Sequence, residues 1–119
     1  MIKQDISENL VNIAYLGIGS NLGSKKRNIE KAKYFLETSA IKIMRSSNIY
    51  ESYSWPNKNH PKFYNIVIKI ITKLKPMNLF FTIKNIEKKL GRIKSKVNSP
   101  RTFDIDILDY KGLNYKLVV

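Results

Sequence analysis

Two aspartates stand two residues apart in the stretch Pro100 to Tyr110, which reads Pro-Arg-Thr-Phe-Asp-Ile-Asp-Ile-Leu-Asp-Tyr. Apolar and polar residues alternate there, as is typical of a half-buried strand. Asp104 and Asp106 are therefore predicted to project from one face, about 6–7 Å apart along the backbone. Carboxylates at this spacing suit Mg²⁺, which shares its remaining positions with substrate phosphates. Arg101 precedes the strand and presents a planar fork suited to phosphate oxygens.

The simpler interpretation of the same stretch is a solvated strand face that happens to be acidic. Against it stands the clustering of charge, because three of the nine acidic residues in the chain (Asp104, Asp106 and Asp109) fall within six positions. Like charges on one strand face repel, so the pair needs a compensating partner such as a cation.

Pro100 to Leu108 resembles the signature of the 6-hydroxymethyl-7,8-dihydropterin pyrophosphokinases, folate-pathway enzymes that move a pyrophosphoryl group from ATP to a pterin alcohol. A second motif, Ala14 to Gly23, resembles the opening strand and first loop of that family. Phe63-Tyr64-Asn65 and Gly91-Arg92 follow in the expected order. The resemblance covers residues 13 to 110 and implies Mg-dependent pyrophosphate transfer, with AMP and the pterin diphosphate as products.

The resemblance also implies which residues form the site. Asn65 would hydrogen-bond the pterin ring and Phe63 would stack on it, although a core Phe and a strand-edge Asn are equally good interpretations of these residues alone. Asp104 and Asp106 would bind two Mg²⁺ ions. The implied pterin contacts are Gly19, Ser20, Asn21, Ser52, Tyr53, Trp55, Phe63 and Asn65. The implied ATP contacts are Glu87, Arg92, Lys94 and Arg101, of which the last three are the implied catalytic residues.

The chain departs from the family pattern in three places. Tyr53 stands where a proline is usual, and Val97 to Ser99 replace a basic residue and an aromatic. Relatives also continue beyond the acidic strand into a segment that carries further phosphate and pterin contacts. The basic run Gly91 to Ser99 is suited to closing over a triphosphate, but a plain charged surface loop is the default interpretation of these residues taken alone.

These residues need a scaffold, and hydrophobic periodicity indicates one. The alternation of four strands with two helices predicts an α+β, ferredoxin-like βαββαβ sandwich, with an antiparallel sheet, helices packed on it, and the first and last strands side by side at its centre. The predicted elements are a strand at Ile13–Ile18 entering a tight glycine loop, a helix at Lys25–Thr38 capped by Ser24, strands at Ile41–Tyr53 and Lys62–Leu74, a helix from Pro76 to Gly91, and the acidic strand.

The 119 residues predict a mobile leader at 1–12 and one domain at 13–119, shortened at its C-terminal end. The chain has no cysteine, which excludes disulfides and thiolate zinc sites. It shows neither a signal peptide nor an apolar run of membrane-spanning length. A monomeric cytoplasmic protein that binds ATP and a pterin, and no membrane, is the expectation.

The net charge of +13 suggests nucleic-acid binding as an alternative function. However, 18 of the 22 basic residues are Lys, and the chain is also rich in Ile and Asn, a bias that an AT-rich genome produces. The sequence also lacks the aromatic run of an RNA-recognition motif, and an aspartate pair in the middle of the sheet would repel phosphate. The other alternative is an inactive or reduced remnant of the enzyme, which the sequence does not distinguish from an active one.

Overall fold

The structure is a computed structural model, and it describes residues 11–53, 59–91 and 103–112. These ranges contain five strands and two helices. In chain order the elements are β1 (Asn12–Ser20), α1 (Lys25–Glu37), β2 (Ile41–Ser46), β3 (Tyr50–Ser52), β4 (Phe63–Thr72), α2 (Pro76–Lys89) and β5 (Asp104–Tyr110). Asn12 already belongs to β1, so the predicted leader of residues 1–12 is too long at its C-terminal end, and residues 1–10 lie outside the described ranges.

The five strands form one antiparallel sheet in the order β2-β4-β1-β5, with the short β3 also paired to β4. β1 pairs along its length with β4 and, on its other side, with β5. The first and last strands are therefore neighbours, as predicted. Only β1 and β4 are central, however, because within the described ranges β5 pairs with β1 alone.

The hydrophobic core lies between the sheet and the two helices. On β1 the inward residues Ala14, Leu16 and Ile18 are at most 1% exposed. The predicted stripe of α1 is confirmed, since Ile29, Ala32 and Leu36 are fully buried and Phe35 packs against them. From α2 the core receives Leu79, Ile83 and Ile86. Because both helices pack on this one face, the functional side chains on the other face of the sheet are left uncovered by any described helix.

Two predicted boundaries are wrong. β1 continues through Gly17 and Gly19 to Ser20, so these glycines lie in an extended strand instead of a tight loop, and only Gly23 in this region has a positive φ, of 72°. The predicted strand Ile41–Tyr53 is split into β2 and β3 by residues 47–49. At the break the Ser47 hydroxyl accepts from the Val67 amide at 2.9 Å, which keeps the chain beside β4 without regular pairing.

Tyr110 ties the end of β5 to the segment before α2. Its phenol donates to the Leu74 carbonyl at 2.7 Å, and the residue is 3% exposed. Burial raises the pKa of the Tyr110 phenol above its ordinary value of 10.0, and a side-chain hydrogen bond with Asn12 opposes this in part. The folded state therefore favours the protonated phenol more strongly than the unfolded chain does.

Because the pKa of Tyr110 is raised in the folded protein, the effect of Tyr110→Phe on stability should depend on pH. The substitution removes one buried hydrogen bond and should lower the free energy of unfolding by about 1 kcal/mol at pH 7. In the unmodified chain the phenol's contribution is complete below about pH 10, where the unfolded chain titrates, and is lost as the pH rises towards the raised folded pKa. In urea denaturation, the difference in the free energy of unfolding between the two proteins should be smaller at pH 10.5 than at pH 7.

Tyr34→Phe is the matched control, because Tyr34 is 65% exposed. It should leave the stability unchanged within about 0.5 kcal/mol at both pH values. The prediction would be contradicted if the stability difference between Tyr110→Phe and the unmodified chain stayed constant or grew above pH 10.

Candidate functional site

The register of three strands brings the acidic pair, two glycines and an asparagine side by side on the outer face of the sheet. Gly19 of β1 lies opposite Asp104 of β5 on one side and Asn65 of β4 on the other. Gly17 lies in the same way opposite Asp106. Adjacent strands are about 4.8 Å apart, so Asp104 and Asn65 are separated by about 10 Å across Gly19. Sequence spacing alone placed the two aspartates on one face, and their pairing with β1 joins them to the glycine motif.

Gly19 is needed for the close approach of two side chains from β4. A Cβ at this position would lie 3.1 Å from Asn65 Oδ1 and 3.2 Å from Phe63 Cδ1. Both distances are shorter than ordinary van der Waals contact. Phe63 and Asn65, both predicted pterin contacts, therefore lie together directly above the Gly19 backbone.

Asn65 is oriented by the short strand β3. Its side-chain amide donates to the Ser52 hydroxyl oxygen at 2.9 Å and, at longer range, to the carbonyls of Tyr50 (3.3 Å) and Phe63 (3.4 Å). The Nδ2 end thus faces β3, while the Oδ1 end faces Gly19. The structure brings Ser52 to the site as a partner of Asn65, a pairing across strands that the sequence does not reveal.

A different arrangement holds Ser20 and Asn21, which are 0% and 2% exposed. The side-chain amide of Asn28, on α1, donates to the Ser20 hydroxyl at 3.1 Å and to the Leu22 carbonyl at 2.8 Å. Asn21 donates to the Pro61 carbonyl at 3.2 Å. These hydrogen bonds of Ser20 and Asn21 hold the loop, and the ligand contact expected for the two residues stays a prediction.

Asn28 is a residue that the sequence interpretation missed. It is 9% exposed and stands four residues before Ala32 and eight before Leu36, in line with the apolar stripe of α1. Its position on this stripe could have identified Asn28 from the sequence, because a buried amide must find hydrogen-bond partners.

The contact of Glu87 with the nucleotide stays a prediction, and the structure places the Glu87 carboxylate inside the protein. The residue is 1% exposed. Its Oε2 accepts from the Ile105 amide at 2.7 Å, and its Oε1 accepts from Lys84 Nζ at 3.2 Å. Glu87 therefore contacts the acidic strand through that strand's backbone.

Asp104 is half-buried and Asp106 is exposed on the outer face. Carboxylate oxygens are ligands that Mg²⁺ prefers, and this ion typically takes only one or two of them while keeping waters or phosphates. No group of three or more His, Cys, Asp or Glu suited to a metal occurs among the described residues. A pair of aspartates beside glycines therefore fits a cation that completes its coordination from a substrate.

Leu108 is the second residue that sequence reasoning did not find. The pairing of β5 with β1 shifts between Tyr15 and Leu16, which leaves Leu108 as the extra residue of a β-bulge. The side chain is 47% exposed and would lie 3.4 Å from a Cβ on Gly17. It thus shares the outer face with Asp106, as the two-residue period of a strand places it, and the bulge instead turns Tyr110 inward beside Ala14.

Tyr53, a predicted pterin contact, is 66% exposed, and Lys62 Nζ lies 4.9 Å from the centre of its ring. A ring at this exposure is available for stacking. The predicted site residues outside the described ranges are Trp55, Arg92, Lys94 and Arg101.

A family model described as 7,8-dihydro-6-hydroxymethylpterin-pyrophosphokinase (HPPK) matches residues 15–119. A similar protein from Aquifex aeolicus, named 2-amino-4-hydroxy-6-hydroxymethyldihydropteridine pyrophosphokinase, is 43% identical over 82% of this chain and 60% of its own length. The folic acid synthesis protein FOL1 of Dictyostelium discoideum is 43% identical over 88% of this chain. The chain spans 16% of that protein's length.

The fold also resembles solved structures. A Plasmodium falciparum HPPK-DHPS variant crystallised with pterin and p-hydroxybenzoate superposes with a TM-score of 0.65, at 18% identity, over 87% of this chain and 29% of that one. A second HPPK-DHPS structure, in complex with substrates, gives a TM-score of 0.62. At this identity the likeness establishes a shared fold.

The space above Gly19 gives a prediction for a pair of glycine substitutions. Gly19→Ala places a methyl group against Asn65 and Phe63 and should lower the free energy of unfolding by about 1–3 kcal/mol, the usual cost of overpacking. It should also shift the Asn65 side-chain amide resonances in a ¹⁵N–¹H spectrum, because Oδ1 must move.

Gly17→Ala is the matched control on the same strand, since its methyl group would meet Leu108 at an ordinary 3.4 Å. It should be close to neutral in stability and leave the Asn65 amide resonances in place. Equal effects of the two substitutions would mean that the crowding above Gly19 does not constrain the site.

Proposed function

Because the chain belongs to the 7,8-dihydro-6-hydroxymethylpterin-pyrophosphokinase family, we propose that it transfers pyrophosphate from ATP to 6-hydroxymethyl-7,8-dihydropterin in folate biosynthesis. The observation that carries this proposal is the row formed by Asp104, Gly19 and Asn65 across three strands. It joins a carboxylate pair suited to Mg²⁺ with an amide and an aromatic ring suited to a flat heterocycle.

In this proposal the pterin lies over Gly19. Phe63 supplies one stacking surface, and the Oδ1 end of Asn65 accepts a hydrogen bond from a ring N–H. Since Ser52 and the backbone of β3 hold the amide, Asn65 pays little rotamer entropy to make this bond. The exposed ring of Tyr53 and the side chain of Trp55 are further proposed pterin contacts, together with the loop at Ser20 and Asn21.

Asp104 and Asp106 would hold the Mg²⁺ ions, two in number. When bound, this metal supplies positive charge that offsets the phosphate oxygens and aligns the two substrates. Arg92, Lys94 and Arg101 would add donors to the same phosphates. Positioning and electrostatics of this kind account for most of the catalysis in phosphoryl transfer.

The proposed reaction is an in-line displacement at the β-phosphorus of ATP. The pterin hydroxyl oxygen forms a bond to this phosphorus and loses its proton, while the bond from the β-phosphorus to the oxygen shared with the α-phosphorus breaks. AMP leaves with that oxygen. The products are AMP and the pterin diphosphate, and no group of the protein becomes covalently modified.

The strand order supports a finer classification of the fold. A strand order of β2-β4-β1-β5 with a helix after the first and the fourth strand corresponds to the ferredoxin-like βαββαβ arrangement, with β3 as a short addition. We include this classification in the proposal. A monomeric state and a cytoplasmic location also belong to it. Within the described ranges, no helix combines the length and the hydrophobicity of a membrane span.

The metal assignment predicts the behaviour of Asp104→Asn/Asp106→Asn. Replacing both carboxylates by amides removes two anionic ligands while keeping the side-chain shape. Calorimetric titration with a non-hydrolysable ATP analogue should show Mg²⁺-dependent binding to the unmodified chain. In the double variant the affinity in Mg²⁺ should fall by about tenfold or more, which is about 1.4 kcal/mol.

Asp109→Asn is the control, because it removes one negative charge from the same strand and Asp109 Oδ2 accepts from the Gly112 amide in the following turn. It should retain Mg²⁺-dependent binding. If a folded, unmodified chain binds no nucleotide, the proposal of an active enzyme fails and the inactive remnant takes its place. Mg²⁺-dependent binding that survives in the double variant would show that other groups hold the metal.

A further inference from the structure

Glu87 is a buried carboxylate that accepts hydrogen bonds from within the protein at both of its oxygens. It lies near the end of α2 and is 1% exposed. Burying a carboxylate costs several kcal/mol unless good hydrogen bonds and an opposite charge compensate for it. Here the Ile105 amide and Lys84 provide both. A buried charge kept at this cost indicates that its position matters for something beyond packing.

The partner of Glu87 is the peptide group at the centre of the acidic strand. Ile105 lies between Asp104 and Asp106, and its own side chain is 1% exposed in the core. The bond of 2.7 Å to Glu87 Oε2 fixes the peptide plane that joins Asp104 to Ile105. Because side chains alternate along a strand, the orientation of this plane sets the directions of both aspartate side chains.

The hydrogen bond between the Ile105 amide and Glu87 opposes the electrostatic repulsion between Asp104 and Asp106. Two carboxylates on one strand face repel each other, and a strand that pairs on one side only can twist to separate them. Within the described ranges β5 pairs only with β1, so α2 supplies its other support through Glu87. A charge-assisted bond of this length is about twice as strong as a neutral one.

We propose that Glu87 is a positioning residue for the metal site, which holds Asp104 and Asp106 in their metal-binding geometry through the Ile105 amide. The inference rests on the function proposed above. It differs from a direct contact between Glu87 and the nucleotide, because both carboxylate oxygens accept hydrogen bonds within the protein. What matters in this role is the reach of the acceptor oxygen to the amide, more than the negative charge.

Two substitutions separate reach from charge. Glu87→Gln keeps the length and an acceptor oxygen but loses the charge, whereas Glu87→Asp keeps the charge and is shorter by one methylene. Lys84→Met removes the ion pair of 3.2 Å and leaves the bond to Ile105, so it serves as the control. Each variant is titrated with Mg²⁺ at a fixed concentration of the non-hydrolysable ATP analogue, and separately with the analogue alone in EDTA.

The Mg²⁺ affinity should fall by about 10–100-fold in Glu87→Asp, the range usual for the loss of a group that orients a metal ligand. It should stay within about threefold of the unmodified value in Glu87→Gln and in Lys84→Met. The affinity for the analogue in EDTA should be unchanged in all three. A purely structural role of Glu87 would instead lower folding stability and leave the Mg²⁺ affinity of the folded protein unchanged.

Two results would overturn the inference. The first is an unchanged Mg²⁺ affinity in a folded Glu87→Asp variant. The second is a fall of the Mg²⁺ affinity in Glu87→Gln as large as in Glu87→Asp, which would show that the negative charge matters and the reach of the acceptor oxygen does not.

An NMR measurement decides the positioning role even if the unmodified chain binds no nucleotide and the proposed function fails. The Ile105 amide proton and the ¹³Cγ resonances of Asp104 and Asp106 should move in Glu87→Asp and stay near their original positions in Glu87→Gln. If they stay in place in both variants, the carboxylate does not position the pair.

Discussion

The hydrogen bond from the Ile105 amide to Glu87 fastens one end of β5 to α2. At the other end of the strand, Tyr110 donates to the Leu74 carbonyl, just before the helix begins. From Ile105 to Tyr110 the strand rises about 17 Å, and from Leu74 to Glu87 a helical path rises about 20 Å. The two lengths nearly match, so helix and strand run side by side in opposite directions with a bond at each end. The acidic strand can therefore lie at the edge of the described sheet and still keep a defined position.

The two faces of β1 have different roles, because one packs in the core and the other lies at the candidate site. Its inward residues fill the core at 0–1% exposure, while its outward positions at Gly17 and Gly19 carry no side chain. Glycine normally weakens a strand, because it loses more backbone entropy on folding and packs nothing. Gly17 and Gly19 nevertheless stand at the two positions of β1 that separate the aspartates of β5 from the side chains of β4. Neighbouring side chains then occupy the space, Phe63 and Asn65 above Gly19 and Leu108 beside Gly17.

Most of the scaffold was predictable because its signals are local and periodic. The alternation around Asp104 predicted β5, and the stripe from Ile29 to Leu36 predicted α1. What failed depends on partners distant in the chain. The break between β2 and β3 is invisible in the pattern, because the Ser47 side chain replaces a backbone bond to β4. Glycines suggested a loop where pairing with β4 and β5 imposes a strand. The position of Glu87, four residues after the core residue Ile83, follows from the sequence, but its partner 18 residues away does not.

Charge acts on two length scales in this molecule. The net charge of +13 attracts anions such as ATP from a distance, because a long-range field adds the contributions of all charges. At physiological salt this attraction extends only about 8 Å from the surface. Within contact range the outer face instead presents Asp104 and Asp106, which repel phosphate unless a cation stands between them. In the function proposed above, the basic surface would favour the encounter with a nucleotide, and the acidic pair would make productive binding depend on a metal. The proposed preference for the Mg²⁺ complex of the nucleotide requires that the two carboxylates stay close together, which is the role proposed for the link from α2 to the backbone of β5.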